Sequence, residues 1–77
     1  MDELLKRIVI NPKVMVGKPI IKGTRITVEH VMRELSTGMT RERLLELYPQ
    51  LASDDVSAAC AYAAARLADE RITIAAE

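Results

Sequence analysis

The sequence TRERLLELYPQLASDDVSAACAYAAARLADER, residues 40–71, contains two helix starts separated by a helix stop. Thr40 can cap a short helix, because its hydroxyl accepts a hydrogen bond from a first-turn amide that has no partner within the helix. Pro49 ends that helix, since the residue before a proline is displaced from the helical region. Ser53 can cap a longer helix, and the two aspartates that follow it stabilise the positive end of that helix's dipole. This order predicts a helix-turn-helix unit.

A further helix is predicted before this unit. Thr27 is another N-cap residue, and the apolar side chains after it recur at helical spacing, so that they form one stripe. Gly38 lies where a left-handed residue commonly ends a helix. The three predicted helices cover residues 28–37, 41–48 and 54–71.

The N-terminal arm, residues 8–27, is predicted to be β-rich. The β-branched run at residues 8–10 is followed by Asn-Pro, which is typical of a strand that ends in a turn. Residues 20–21 and 24–26 flank the turn-prone Lys22-Gly23 pair and predict a hairpin. Residues 1–77 are therefore expected to form a single, mainly α domain: a three-helix helix-turn-helix (winged-helix-like) fold with a small N-terminal β-hairpin.

The composition predicts a thin core. The chain has 77 residues, 49% hydrophobic but only 3% aromatic, and a domain of this size buries only about 60% of its unfolded surface. The third predicted helix is rich in alanine on nearly every side, which indicates that a second subunit covers part of it in a homodimer. The alternative is that alanine is present only as the best helix former.

Charge is unevenly distributed along a chain whose formal net charge is zero. Residues 1–27 contain six basic and two acidic residues, whereas the remaining residues contain five basic and nine acidic ones. Direct base reading by the third helix is disfavoured, because Asp54 and Asp55 in its first turn would face phosphate. The candidate DNA contacts are therefore on the arm and the second helix: Lys18, Lys22, Thr24, Arg25, Arg41 and Arg43. The alternative is that these are solvated surface charges.

The sequence offers few groups for catalysis. His30 is the single histidine and Cys60 the single cysteine, so an internal disulfide and a cysteine-rich metal site are excluded. Without convergent polar residues, we expect no enzymatic activity, no catalytic residues, no metal, no cofactor and no small-molecule substrate. No run approaches the roughly 20 apolar residues of a membrane span, and a cytoplasmic location is expected.

Three segments together resemble a known family. GKPIIKGTRITVEHVM at residues 17–32, STGMTRERLLELYPQL at 36–51 and a helix containing AYAAA are similar to the small bacterial family called domain of unknown function 433. Val16 stands where many members carry a glycine. The positions that match the family pattern are Gly17, Pro19, Gly23, Thr24, Arg25, Tyr48 and Pro49.

This resemblance implies a helix-turn-helix-like antitoxin that accompanies a toxin with a PIN-type nuclease fold. The leading hypothesis is a dimeric antitoxin that binds this nuclease and also duplex operator DNA. We expect the toxin to contact the apolar ends of the chain, Leu4 and Leu5 or residues 72–76. The alternative is a protein-interaction or structural module with no role in nucleic-acid binding.

Overall fold

The computed structural model describes residues 3–69. These residues form three α-helices and one two-stranded antiparallel sheet, which confirms the predicted fold class. A 3₁₀ helix precedes the sheet and a second 3₁₀ turn lies between its strands, at Leu4–Arg7 and Met15–Gly17. The remaining elements are β1 (Ile8–Val9), β2 (Ile20–Ile21), α1 (Val28–Ser36), α2 (Arg41–Leu47) and α3 (Ser53–Asp69). The predicted end of the third helix, at residue 71, lies outside the described residues.

Two of the three predicted helix caps are confirmed. The Thr27 hydroxyl accepts a hydrogen bond from the His30 amide at 2.9 Å, and α1 begins at the next residue. The Thr40 hydroxyl accepts from the Arg43 amide at 3.1 Å, at the start of α2. Each threonine thus satisfies an amide that the helix itself leaves unpaired.

The third predicted cap, Ser53, is wrong. Helix α3 begins at Ser53 itself, so the residue before the helix is Ala52, which has no side-chain oxygen. The Asp55 carboxylate instead accepts a hydrogen bond from the Ala52 amide at 2.8 Å. An acidic side chain at the third helical position thus reaches back to the residue before the helix, which is one half of a capping box.

The sheet pairs the two β-branched runs of the arm. Ile8 lies opposite Ile21, and Val9 lies opposite Ile20. The hairpin predicted within residues 20–26 is reduced to a tight bend closed by one bridge between Ile20 and Thr27. Residues 22–25 are taken up by the turn, so too few remain to extend a second strand against β2.

The core lies where β2 and the three helices meet. Its buried side chains are aliphatic and few, as the composition predicts: Ile21, Val28, Val31, Leu44, Leu51, Val56 and Ala59. The fully buried residues of helix α3 all lie in its first half: Asp55, Val56, Ala58 and Ala59. Tyr62 packs against the core while partly exposed, and residues 64–69 are exposed.

Candidate functional site

The second half of α3 presents small apolar side chains to solvent. Residues 64–69 are all exposed, and so is Cys60. Cys60, Ala64, Leu67 and Ala68 fall on one side of the helix by spacing, and we call these four residues the α3 outer face. Leu67 has 56% of its surface exposed. An apolar strip of this kind on a helix that has already buried its other side is a candidate protein interface.

Arg41 lies beside the start of α3 and is occupied there. Its Nη1 atom donates to the Ser53 carbonyl at 2.7 Å, to the Ser53 hydroxyl at 3.1 Å and to the Ser57 hydroxyl at 3.0 Å. The structure thus places this predicted DNA contact in a link between α2 and α3. The other candidate on α2, Arg43, is exposed, and its Nη1 lies 3.7 Å from Glu46 Oε1.

Thr24 is also occupied within the chain. Its hydroxyl donates to the Ile21 carbonyl at 2.8 Å and accepts from the Ile26 amide at 3.0 Å. Because a hydroxyl has only one proton to donate, that proton is used within the chain in this structure, and the contact of Thr24 with DNA stays a prediction. Its position in the sequence motif is explained by the bend after β2, which the hydroxyl stabilises from both sides.

The remaining arm candidates differ in their partners. Lys18 Nζ lies 2.9 Å from Glu29 Oε1 in an ion pair. Lys22 and Arg25 are exposed and form no ion pair with any residue between 3 and 69. Of the six predicted contacts, Lys18 and Arg25 share one cleft, whereas Lys22 lines a different depression beside Arg7.

The cleft that contains Lys18 and Arg25 lies between the second 3₁₀ turn, α1 and the end of α2. Its volume is about 330 Å³, and we call it the cationic cleft because three basic residues face a single acidic one. Its lining residues are Met15, Lys18, Arg25, Ile26, Thr27, Glu29, His30, Arg33 and Tyr48. Arg33 was not among the predicted contacts, although its spacing of four from Glu29 is typical of a helical ion pair.

Glu29 joins two of the cations. One carboxylate oxygen accepts from Lys18 Nζ at 2.9 Å, and the other accepts from Arg33 Nη2 at 2.6 Å. The hydrogen bond from Lys18 and the positive charges of Lys18 and Arg33 lower the pKa of Glu29 below its usual value of 4.5. The cleft therefore already holds one carboxylate between an ammonium and a guanidinium.

His30 and Tyr48 form the polar end of the cleft. The His30 Nε2 atom and the Tyr48 hydroxyl are 2.7 Å apart, and the two rings meet edge to face with centroids 5.4 Å apart. Glu34 Oε1 lies 3.5 Å from the same histidine nitrogen. This contact joins the first turn of α1 to the residue after α2. Tyr48 occupies a motif position, but its partner is 18 residues away in sequence, so spacing alone does not reveal the pair.

The first turn of α3 is covered by the N-terminal 3₁₀ helix. Arg7 Nη1 lies 3.0 Å from Asp55 Oδ1, and Arg7 Nη2 lies 3.6 Å from Asp54 Oδ2. Leu4 and Leu5 are half-buried on a helix that packs on α3. Leu4 and Leu5 thus pack partly against their own chain, and their contact with a toxin stays a prediction. The alternative surface, residues 72–76, lies outside the described residues.

Residues 3–69 contain no group of three His, Cys, Asp or Glu side chains arranged to hold a metal ion. None of the described helices is both long enough and apolar enough to cross a lipid bilayer.

The sequence of this chain is similar to those of known proteins. A sequence profile described as "Protein of unknown function (DUF433)" matches residues 8–63. The uncharacterized protein y4eO of Sinorhizobium fredii is 34% identical over 55 residues, which cover 71% of this chain and 25% of that protein. An uncharacterized protein of Archaeoglobus fulgidus is 59% identical over 29 residues, or 38% of this chain and 81% of that protein.

A solved structure extends this similarity to three dimensions. The crystal structure of a DUF433 member from Anabaena variabilis matches with a TM-score of 0.76 and 34% identity, over 80% of this chain and 61% of the other. The chain thus spans a quarter of the length of the Sinorhizobium protein and less than two thirds of the Anabaena chain.

Proposed function

Because the chain belongs to the DUF433 family of proteins of unknown function, and because residues 64–69 of α3 are exposed, we propose that it is a protein-binding antitoxin. In this proposal it acts in the bacterial cytoplasm, without catalysis, by binding a PIN-like nuclease toxin. The nuclease partner follows from the family resemblance. The observation that supports a binding role is the α3 outer face.

A second copy of the chain is the proposed occupant of the α3 outer face. Three of its four side chains are alanine or cysteine, and such small residues let two helices approach closely. Leu67 is the one large side chain of the α3 outer face, and burying one leucine side chain contributes about 1.5–3 kcal/mol. Two copies that pack through this face would each cover the other's exposed leucine, as expected for a two-fold symmetric dimer.

The dimer is tested by sedimentation equilibrium of the wild-type chain and two charged variants. Leu67→Glu should convert a dimer into a monomer of 8.6 kDa, because it places a carboxylate in an apolar interface. Leu47→Glu is the matched control, since Leu47 is also an exposed leucine, at 44%, but lies on α2. A wild-type monomer at micromolar concentration, or equal dissociation of both variants, would contradict the proposed interface.

Cys60 provides a second readout without any mutation. It is the single cysteine of the chain and lies exposed on the α3 outer face. Its labelling by a maleimide should slow as protein concentration rises through the dimer dissociation constant. Labelling that is independent of concentration would place the dimer contact elsewhere.

The antitoxin role itself is tested with the product of the adjacent reading frame, which this proposal expects to be a nuclease-like protein. We expect co-expression to restore growth of cells that the nuclease arrests, and the two proteins to co-purify. Failure of both, with both proteins expressed and folded, would leave the alternative of an interaction or structural module unrelated to a toxin.

Operator DNA binding is the second candidate function. It is favoured by Lys22 and Arg25, which are exposed and have no ionic partner among residues 3–69. Binding to operator duplex should weaken steeply with salt and be lost in the double variant Lys22→Glu, Arg25→Glu. Equal binding of the parent and the double variant, with circular dichroism confirming that both are folded, would exclude the arm as the DNA contact.

A further inference from the structure

The cationic cleft has one guanidinium group with no partner among residues 3–69. Lys18 and Arg33 both bind Glu29, whereas Arg25 is exposed at the cleft wall without an ion pair. Three cations against one carboxylate leave the cleft with an excess of positive charge. A guanidinium presents a planar fork of donors that matches the two oxygens of a carboxylate. The cleft is therefore able to accept one more anion at Arg25.

Glu29 shows which kind of anion this cleft accommodates. Its two oxygens are divided between an ammonium at 2.9 Å and a guanidinium at 2.6 Å, both within strong hydrogen-bond distance. The same carboxylate disfavours a nucleic-acid backbone, because adjacent phosphates would be held close to its negative charge. A single side-chain carboxylate can approach Arg25 without that repulsion.

The other walls of the cleft suit a peptide side chain. Ile26 and Met15 supply apolar surface beside the charges, and the His30–Tyr48 pair supplies polar atoms at the end. A glutamate or aspartate with an apolar neighbour matches this combination, because its methylene groups can cover the apolar wall while its oxygens reach Arg25. A phosphate has no apolar atoms to place there.

A strained turn borders the same cleft. Met15, Val16 and Gly17 all have positive φ angles, of 49°, 57° and 77°. A β-branched residue in this region is a genuine outlier, and such strain is often found where a binding site needs it. The turn carries Val16 into solvent with 93% of its surface exposed and places Met15 in the cleft lining. The turn thus places the apolar Met15 side chain in the same cleft as Arg25.

We propose that the cationic cleft binds an acidic peptide segment of a partner protein, with one carboxylate on Arg25 and an adjacent apolar side chain against Met15 and Ile26. This site goes beyond the proposed toxin binding, because it does not involve the α3 outer face and does not require a toxin. It assigns Arg25 to a carboxylate, whereas the second candidate function assigns the same residue to phosphate. It identifies a second surface through which the chain can recognise another protein.

The probe for this site is a fluorescein-labelled synthetic peptide of alternating glutamate and leucine. Its counterpart carries glutamine in place of each glutamate, so that the negative side-chain charges are removed. Anisotropy titrations should show binding of the acidic peptide only. Arg25→Gln should weaken that binding about tenfold, as expected for a charge-assisted hydrogen bond. Lys13→Gln is the matched control: it also removes one positive charge, but from an exposed residue outside the cleft lining. Its effect should stay below about twofold.

The wild-type protein gives an independent measurement. In an NMR titration with the acidic peptide, amide signals of residues 25–30 should shift, whereas those of the α3 outer face should not. Shifts confined to α3 would overturn the cleft assignment without testing the dimer, and loss of the dimer in Leu67→Glu would leave the cleft result unchanged.

Equal weakening of peptide binding by Arg25→Gln and Lys13→Gln, or no binding of the acidic peptide, would also overturn the proposal. Displacement of the peptide by duplex DNA through Arg25 would assign the cleft to phosphate instead.

Discussion

Asp55→Ala should be among the most damaging changes outside the aliphatic core. Asp55 holds the start of α3 in two ways: it accepts from the Ala52 amide at 2.8 Å, and it pairs with Arg7 at 3.0 Å. Its side chain is only 11% exposed, whereas that of Arg7 is 42% exposed. The change therefore removes a helix cap together with one ion pair between the N-terminal 3₁₀ helix and α3.

The two contributions can be estimated separately. Loss of a side-chain cap costs about 1 kcal/mol. The ion pair adds about 1 kcal/mol, the upper part of the range for pairs that solvent partly screens, because Asp55 is buried but Arg7 is not. A loss of about 2 kcal/mol in a domain of this size lowers the melting temperature by roughly 8–16 °C. Urea unfolding followed by circular dichroism gives the free energy directly.

Asp54→Ala is the matched control for this prediction. Asp54 is the adjacent residue in the same helical turn, but it is 68% exposed and its oxygen lies 3.6 Å from Arg7. Both variants lose the same favourable interaction with the helix dipole, so the difference between them isolates the cap and the buried pair. We expect Asp54→Ala to cost at most about 0.5 kcal/mol beyond that shared loss. Equal destabilisation by the two alanines would refute the reasoning.

Three further predictions concern the core, the strained turn and the cleft. Leu44→Ala should lower the free energy of unfolding by about 2–5 kcal/mol, because Leu44 is fully buried; a smaller loss in urea unfolding would mean that the core collapses around the cavity. Val16→Gly should raise that free energy by about 0.5–1 kcal/mol, since relief of left-handed strain exceeds the added entropy of the unfolded chain, and a lower melting temperature would contradict it. Glu29 has a pKa below its usual 4.5, so its contribution to stability is present above pH 4.5 and is lost as the pH falls below that value. Glu29→Gln should therefore flatten the pH dependence of the melting temperature in this acid range. An unchanged slope would count against the two ion pairs of Glu29.

The local signals of the sequence predicted most of the fold. Thr27 and Thr40 cap their helices because capping depends on residues three positions apart, which a sequence displays directly. Ser53 failed as a cap because α3 begins one residue earlier than predicted, with Ser53 as its first helical residue. The Asp55 carboxylate accepts from the amide of the preceding residue, Ala52, and the Ser53 hydroxyl accepts from Arg41. The pairing of β1 with β2 also escaped prediction in detail, since it joins residues 8–9 to 20–21 across a loop whose geometry no local pattern specifies.

The candidate sites were less predictable, because the sequence shows which residues are charged but not which of them are already paired. Arg41 and Thr24 looked available to phosphate, yet their partners Ser57 and Ile21 are revealed only by the fold. The reverse holds for Arg33, which was missed although it completes the cleft with Arg25. The exposed side of α3 was foreseen from its alanine content, because a helix that is apolar all round cannot bury every side in a chain this short.

The hydrogen bonds from Arg41 help to keep α2 and α3 in their relative orientation. Its three acceptors are a main-chain carbonyl and two serine hydroxyls, none of which ionises. Acidification that discharges carboxylates leaves this junction untouched, and added electrolyte weakens it far less than it weakens a pair of opposite charges. The packing of α2 against α3 should therefore persist at a low pH or a high salt concentration that releases the N-terminal 3₁₀ helix from α3.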